Sequence, residues 1–344
     1  MTLDVVVAGL PKAVQDATDP DRGLWLTPSQ RERILAAAPD VRLEHLPVDD
    51  LDAGRGPERA PHAIMVETSG SKSALDVEQG ILTRRGLDLL LTPELRLLQS
   101  MSAGAEHLVG IMPPGVPLAN ASGVSAPAIA ETVVAGILAD AKMTRERWEH
   151  QAAHRWVELP ARELAGAVLT VLGTGNIGTT TARIATALGM RTIGVNRRGN
   201  PVETFDRTVP TAQLHEVLAE TDYLLVAAPL TPATRGLVDA GTLAAMKPGG
   251  WIANVARGAI VDADALVAAL HSGHLRGALI DCHVTEPLPA DDPLWDAPGA
   301  QVLPHDSHAS QLLGERQVDL FVDNLGRLAR GEELRNVVDL DRGY

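Results

Sequence analysis

Three glycines, Gly173, Gly175 and Gly178, stand at the spacing G-x-G-x-x-G within AVLTVLGTGNIGTTTARIATALGMRTIGVNRR, residues 167–198. The flanking residues give that spacing its meaning. Residues 167–172 are a β-branched apolar run, the composition of a strand buried on both faces. Residues 179–188 read as a helix stopped by Gly189, and 191–195 as a second strand, which completes a β–α–β unit. In such a unit Gly173 permits a tight turn, Gly175 lets the backbone approach a pyrophosphate, and Gly178 lets the helix pack on the strand. Asn176 and Ile177 belong to the same turn, and the helix N-terminus offers phosphate its N–H groups and its positive dipole end. The ligand that suits this arrangement is a dinucleotide.

The end of the second strand in these units commonly carries an acid that holds the adenosine ribose. Here it reads Asn196-Arg197-Arg198, with no carboxylate. A guanidinium grips a ribose 2′-phosphate that an acid would repel, so the residues favour NADP(H), with NAD(H) possible. The plainer alternative is that both arginines are a solvated loop end.

Ligands of open parallel sheets sit beyond the carboxyl ends of the strands. A strand over 223–228 points to Ala228 and Pro229, and one over 251–255 to Val255, Ala256 and Arg257. A third, over 277–281, points to Asp281, and the stretch after Leu303 forms a fourth place. Three groups able to do chemistry fall there: Arg257 in NVARGAIVD, Glu286 in DCHVTEPLP and His305 in LPHDSHAS.

The elements that must position these groups follow from the rest of the chain. At 344 residues it exceeds what one hydrophobic core usually serves, so two domains are expected. Strand candidates over 4–8, 41–46, 63–67, 95–99 and 116–119 alternate with helical patterns, which argues for a parallel sheet covered by helices. Thr27-Pro28 reads as an N-cap and first helical residue for a helix over 29–38, and 104–111 as a short helix. A long helical pattern, 126–149, leads to the glycine-rich unit, and Asp262 caps a helix over 263–270. The net charge of −14 and 3% aromatic content leave little to hold a nucleic acid. No apolar run approaches the ~18 residues that span a bilayer. The start MTLDVVVAGLPK reads as a strand rather than a signal peptide, and the single cysteine, Cys282, fits a reducing compartment. A cytoplasmic protein is the expectation.

From about residue 95 to 310 the chain resembles the D-isomer-specific 2-hydroxyacid dehydrogenase family. The matching pieces, beyond the glycine-rich loop, are SMSAGAEHL, PLTPATRGLV, MKPGG, NVARGAIVD, EPLP and PLW, in the family's order. The first ~90 residues match only in their strand–helix rhythm. The resemblance implies an α/β fold of two Rossmann/flavodoxin-like domains with parallel sheets and the active site in the cleft between them. Residues 1–120 with 308–344 would form the substrate domain, and 121–307 the dinucleotide domain. It implies NAD(P)H-dependent reduction of a small 2-oxo acid, of the glyoxylate or hydroxypyruvate type, to the D-2-hydroxy acid. Arg257 would bind the substrate's carboxylate and carbonyl oxygens, His305 would exchange the proton, and Glu286 would hold the imidazole. Ser102, Ala103 and Gly104 would hold the substrate carboxylate through the backbone, and Asp281 would lie near the nicotinamide. The resemblance also implies a homodimer with 126–142 in its interface, a C-terminal helix over 320–328 crossing back onto the first domain, and no metal.

The chain departs from the family pattern in places. Cys282-His283 stands where the family commonly has Val and an aromatic residue. Asp306-Ser307-His308 stands where it has glycine or small apolar residues, and Thr132 where it usually has a histidine. A metal site of His283, His305 and His308 fits no helical H-x-x-x-H spacing. Two other functions remain on the same fold: a dinucleotide sensor without catalysis, and a dehydrogenase of another small anion such as formate or phosphite.

Overall fold

The computed structural model describes residues 2–9, 26–66 and 83–340. The chain divides into two compact units: Met1–Val124 with Gln311–Tyr344, and Ser125–Ser310.

The first unit is built on a five-stranded sheet of β1 (Leu3–Gly9), β2 (Val41–Pro47), β3 (Ala63–Val66), β4 (Leu97–Ser100) and β5 (Leu118–Ala119). Their order is β2-β1-β3-β4-β5 and every pairing is parallel. Alternate side chains separate into two cores, as a pleated strand requires. Val5, Val7, Met65 and Leu97 pack with Phe321 and Leu325, whereas Val6, Ala8, Ile64 and Leu98 pack with Leu51, Leu90 and Leu108. Helix α1 (Pro28–Ala36) begins with the expected cap: Thr27 Oγ1 accepts from the Gln30 N–H, and Gln30 Oε1 accepts from the Thr27 N–H. Residue 67, the end of one expected strand, lies outside the described residues.

The second unit holds seven parallel strands in the order β12-β11-β10-β9-β6-β7-β8. They are β6 (Val168–Leu172), β7 (Arg191–Asn196), β8 (Arg207–Pro210), β9 (Tyr223–Val226), β10 (Gly250–Asn254), β11 (Leu275–Ile280) and β12 (Ala300–Val302). The chain runs outward from β6 to β8, then returns to the other side of β6 through β9. The order therefore reverses between β6 and β9, the kind of switch point beyond whose carboxyl ends such sheets bind ligands. No apolar pattern in the sequence marks β8. It is a four-residue edge strand ending in Pro210, with Val209 its one buried residue.

The expected single helix over 126–149 is two. Helix α2 (Ala126–Ala141) ends before Met143, which adopts φ 52°, and a second helix, Thr144–Ala152, follows. The second helix buries none of its residues, so no packing extends the axis of α2 through the junction. Arg147 Nε instead donates to the Lys142 carbonyl at 2.8 Å, satisfying a group the break frees. Helices α3 (Asn176–Ala187), α4 (Ala263–His271) and α5 (Leu313–Arg330) complete the framework used below. Asp262 caps α4 by accepting from the Ala265 N–H at 3.0 Å. Helix α5 packs against the first unit's sheet, where Phe321 and Leu325 are fully buried. No helix among the described residues is long and apolar enough to cross a membrane.

Candidate active site

The glycine-rich loop leaves β6, whose five residues are all buried, and enters α3 directly at Asn176. The three glycines are held for different reasons. Gly173 has φ 108°, and a Cβ there would lie 2.6 Å from the Ala227 carbonyl. A Cβ at Gly178 would lie 2.2 Å from the Gly173 carbonyl oxygen and 2.9 Å from Val171 Cγ1. At Gly175 a Cβ would meet no atom of the chain within 4 Å. The protein's own packing thus demands glycine at 173 and 178 but not at 175, the position where a pyrophosphate comes closest to the backbone. The loop fits a dinucleotide.

Asn196, at the end of β7, organises the adjacent loop. Its Oδ1 accepts from the Arg198 and Asn200 N–H groups, and its Nδ2 donates to the Asn200 carbonyl at 2.9 Å and to Thr174 Oγ1 at 3.3 Å. Arg197 and Arg198 are exposed, and among the described residues neither forms an ion pair. Both guanidiniums are available to an anion beside the glycine-rich loop.

The turn after β10 carries Val255, Ala256 and Arg257, and it is shaped by a side chain that sequence reading passed over. Buried Asn254 accepts from the Ala256 N–H at 3.1 Å and donates to the Arg257 carbonyl at 3.1 Å. A buried amide inside NVARGAIVD was a legible signal, because such a group needs partners. Arg257 Nη1 donates to the Ala256 carbonyl at 2.8 Å. Gly258 sits against the turn after β11, where a Cβ would be 2.2 Å from the His283 carbonyl carbon. Ala228 and Pro229 follow β9, with Ala228 buried and the Pro229 carbonyl accepting from Thr234 Oγ1 at 2.7 Å.

Beyond β11 and β12 the titratable groups gather. His305 Nδ1 stands 3.0 Å from Glu286 Oε2 and 3.1 Å from Oε1. Glu286 is itself aimed by the His283 N–H, which donates to Oε1 at 2.9 Å. Burial raises the Glu286 carboxyl, but the His283 N–H, the hydrogen bond to His305 and the neighbouring imidazole charges outweigh it and hold the group below its ordinary range. The imidazole of His283 faces away, its Nε2 meeting the Leu303 carbonyl at 3.0 Å.

Cys282 lies at the centre of this group. Its thiol is pushed up to about 12, by burial first and then by the Asp281 charge, and Arg257 and Glu286 are also close enough to act on it. Ligand atoms of Asp281, Cys282 and His305 all lie within 4.8 Å of one another, a set different from the three histidines weighed on sequence. All three residues have other partners, His305 through its bond to Glu286. The Cys282 thiol donates to the Ala256 carbonyl at 3.3 Å, and both Asp281 oxygens accept from Ser307. His305 thus lies within 4.8 Å of one buried thiol at the edge of one sheet, and the charges of Arg257 and Glu286 act on the same thiol. His308 and Asp306 are exposed beside them.

Ser102, Ala103 and Gly104 belong to the first unit, immediately after β4. The loop is pinned by Gln317 Nε2 on the Met101 carbonyl at 2.9 Å and by Asn120 Nδ2 on the Ala103 carbonyl at 3.0 Å. Among the described residues the Ala103 and Gly104 N–H groups have no protein acceptor.

Residues 134–307 match the family model described as D-isomer specific 2-hydroxyacid dehydrogenase, NAD binding domain. The chain is 33% identical over 255 residues to glyoxylate/hydroxypyruvate reductase B of Pectobacterium carotovorum subsp. carotovorum (strain PC1), covering 72% of this chain and 80% of that one. It is similar in structure to the D-isomer specific 2-hydroxyacid dehydrogenase of Xanthobacter autotrophicus Py2 in complex with NADPH and MES. That similarity has a TM-score of 0.75 at 26% identity over 100% of both chains. It is also similar to the NADPH-dependent glyoxylate/hydroxypyruvate reductase of Sinorhizobium meliloti in complex with NADP and sulfate, with a TM-score of 0.73 at 26% identity, again over 100% of both chains. With the family model spanning half of the chain and a relative matched over most of its length, the chain belongs to the D-isomer specific 2-hydroxyacid dehydrogenases, oxidoreductases that use a nicotinamide dinucleotide.

Proposed function

We propose that the chain reduces a small 2-oxo acid of the glyoxylate or hydroxypyruvate type to the D-2-hydroxy acid, reversibly and with NADP(H) favoured over NAD(H). The observation that carries this reading is the Glu286–His305 pair, 3.0 Å apart at the same sheet edge as Arg257 and the glycine-rich loop. When bound, the nicotinamide supplies the hydride to the carbonyl carbon and accepts it in the reverse direction. Arg257 binds the carboxylate and carbonyl oxygens and draws charge toward the latter. His305 gives its proton to that oxygen as the alkoxide forms and takes it back on oxidation. Glu286, ionised throughout, holds the imidazole in one tautomer and stabilises its charged form. The N–H groups of Ala103 and Gly104, with Ser102, hold the substrate carboxylate in this reading. The first unit is then the substrate domain and the second the dinucleotide domain, with Asp281 beside the nicotinamide.

The cofactor preference is supported by Arg197 and Arg198, which face no carboxylate, and by the NADPH and NADP held in two similar structures. We place the protein in the cytoplasm on its single, buried and unpaired cysteine. A homodimer is supported by the segment after α2, where Trp148 and Trp156 are 69% and 99% exposed. The test is loss of NADPH absorbance with glyoxylate, hydroxypyruvate and a panel of other 2-oxo acids, repeated with NADH. Turnover with a higher kcat/KM for NADPH supports the reading. Binding without turnover across the panel would replace it with a dinucleotide sensor.

A further inference from the structure

His305 has φ 58°, in the left-handed region that a residue with a Cβ occupies only when its surroundings impose it. Both flanks of the residue are tied to the end of β11. Upstream, the Leu303 N–H donates to the Ile280 carbonyl at 2.9 Å. Downstream, Ser307 makes two bonds to one carboxylate: its N–H donates to Asp281 Oδ1 at 3.1 Å and its hydroxyl donates to Oδ2. Ser307 is 4% exposed and Asp281 1%, so water competes for neither. The Ser307 carbonyl accepts from the Thr132 hydroxyl of α2 at 3.3 Å, a donor shared with the Ala128 carbonyl at 3.1 Å. Thr132 and Ser307 are two of the positions at which the sequence departs from the family pattern, and here they meet. A glycine or small apolar residue at 307 would supply only the N–H.

We propose that Ser307 is a positioning residue for this reaction: its hydroxyl on Asp281, backed by Thr132, fixes the backbone that aims His305 at Glu286 and at the substrate oxygen. The inference rests on the proton-transfer role of His305 given above. Removing the hydroxyl leaves the N–H bond, so the loop stays folded while the imidazole samples more orientations. Proton transfer suffers and dinucleotide binding does not.

Ser307→Ala is expected to lower kcat roughly tenfold, with the NADPH Kd unchanged, the melting temperature lowered by only a few degrees for the lost buried hydrogen bond, and the solvent deuterium isotope effect on kcat increased. Ser307→Thr, which restores the hydroxyl, should recover most of the rate. If Ser307→Ala does not fold, Thr132→Val reads the same chain of bonds from its far end, with a smaller fall in kcat. A readout without turnover is the Glu286 carboxyl followed by 13C NMR. It should titrate higher in Ser307→Ala than in the wild type, because the His305 bond that helps hold it down is weakened. An unchanged kcat, or a kcat that falls only in step with melting temperature or cofactor affinity, would overturn the proposal. If the wild type turns over no 2-oxo acid, the functional reading falls. The Glu286 titration then still decides whether Ser307 holds His305 to its carboxylate.

Discussion

Two loops leave the carboxyl edge of the seven-stranded sheet and are held in opposite ways. The loop at residues 173–178 is shaped by side chains it lacks: a Cβ at Gly173 or Gly178 would strike backbone at 2.6 or 2.2 Å. The loop at residues 303–308 is shaped by side chains it has, with Ser307 bonded to Asp281 and His305 bonded to Glu286. The first presents backbone, which suits a ligand recognised through phosphate. The second presents an imidazole, which under the proposed function meets one substrate oxygen and suits proton transfer. Binding and chemistry therefore depend on different physical devices, and substitutions can separate them.

The largest expected effect is on the second loop. His305→Ala should lower kcat by roughly 10²–10⁴ while the NADPH Kd stays at its wild-type value. Steady-state kinetics with isothermal titration tests this, and an unchanged kcat would assign the proton to another group. Next comes Gly178→Ala, whose added methyl should destabilise the apo-protein by roughly 1–3 kcal/mol as an overpacked contact. Thermal unfolding without cofactor reads that loss directly. Gly175→Ala sharpens the contrast within the same loop. Its apo melting temperature should match the wild type, because the methyl meets no atom of the chain, while the NADPH Kd rises roughly tenfold, about 1.4 kcal/mol. If Gly175→Ala melts early and binds normally, the division between packing and ligand glycines is wrong.

Smaller effects test the edges of the comparison. Arg197→Ala and Arg198→Ala should each weaken NADPH binding several-fold and leave NADH binding alone, since a contact made by an exposed charge is worth about 1 kcal/mol or less. The smallest effect is a pH dependence. The Glu286 carboxyl lies below its ordinary value of 4.5 in the folded protein. A depressed carboxyl contributes stability fully above its unfolded value and loses it as pH falls through the folded one. Wild type should therefore unfold at higher denaturant than Glu286→Gln near neutrality, and the two should converge below pH 4.5. A gap that widened in acid would reverse the sign.

Much of the fold was legible because its signals are local. The apolar runs that became β1, β6, β9 and β10, the Thr27 cap and the Asp262 cap are each set by a few adjacent residues. β8 was not, because a short exposed edge strand lacks an apolar pattern. The break at Met143 was not, because helical periodicity continues on both sides and only the absence of packing against the second helix shows that the axis turns. In the site, the three glycines and the strand-end positions of Arg257, Glu286 and His305 could be read from the chain. The partners that orient them could not: Asn254 through its buried amide bonds, and Ser307 through a carboxylate 26 residues earlier.

By itself the sequence determined where backbone would have to come close, since glycine spacing after an apolar run restricts conformation residue by residue. It also determined which charged groups would lie at strand ends, because strand length and turn position are local properties. Only the tertiary structure decided that Gly175 is a glycine the chain's packing does not require, and that His305 takes a left-handed backbone. It alone brought Thr132, Asp281 and Ser307 into one line of hydrogen bonds. The physical reason is that these are contacts between residues far apart in the chain, whose energies depend on distance and burial that no short stretch of sequence encodes.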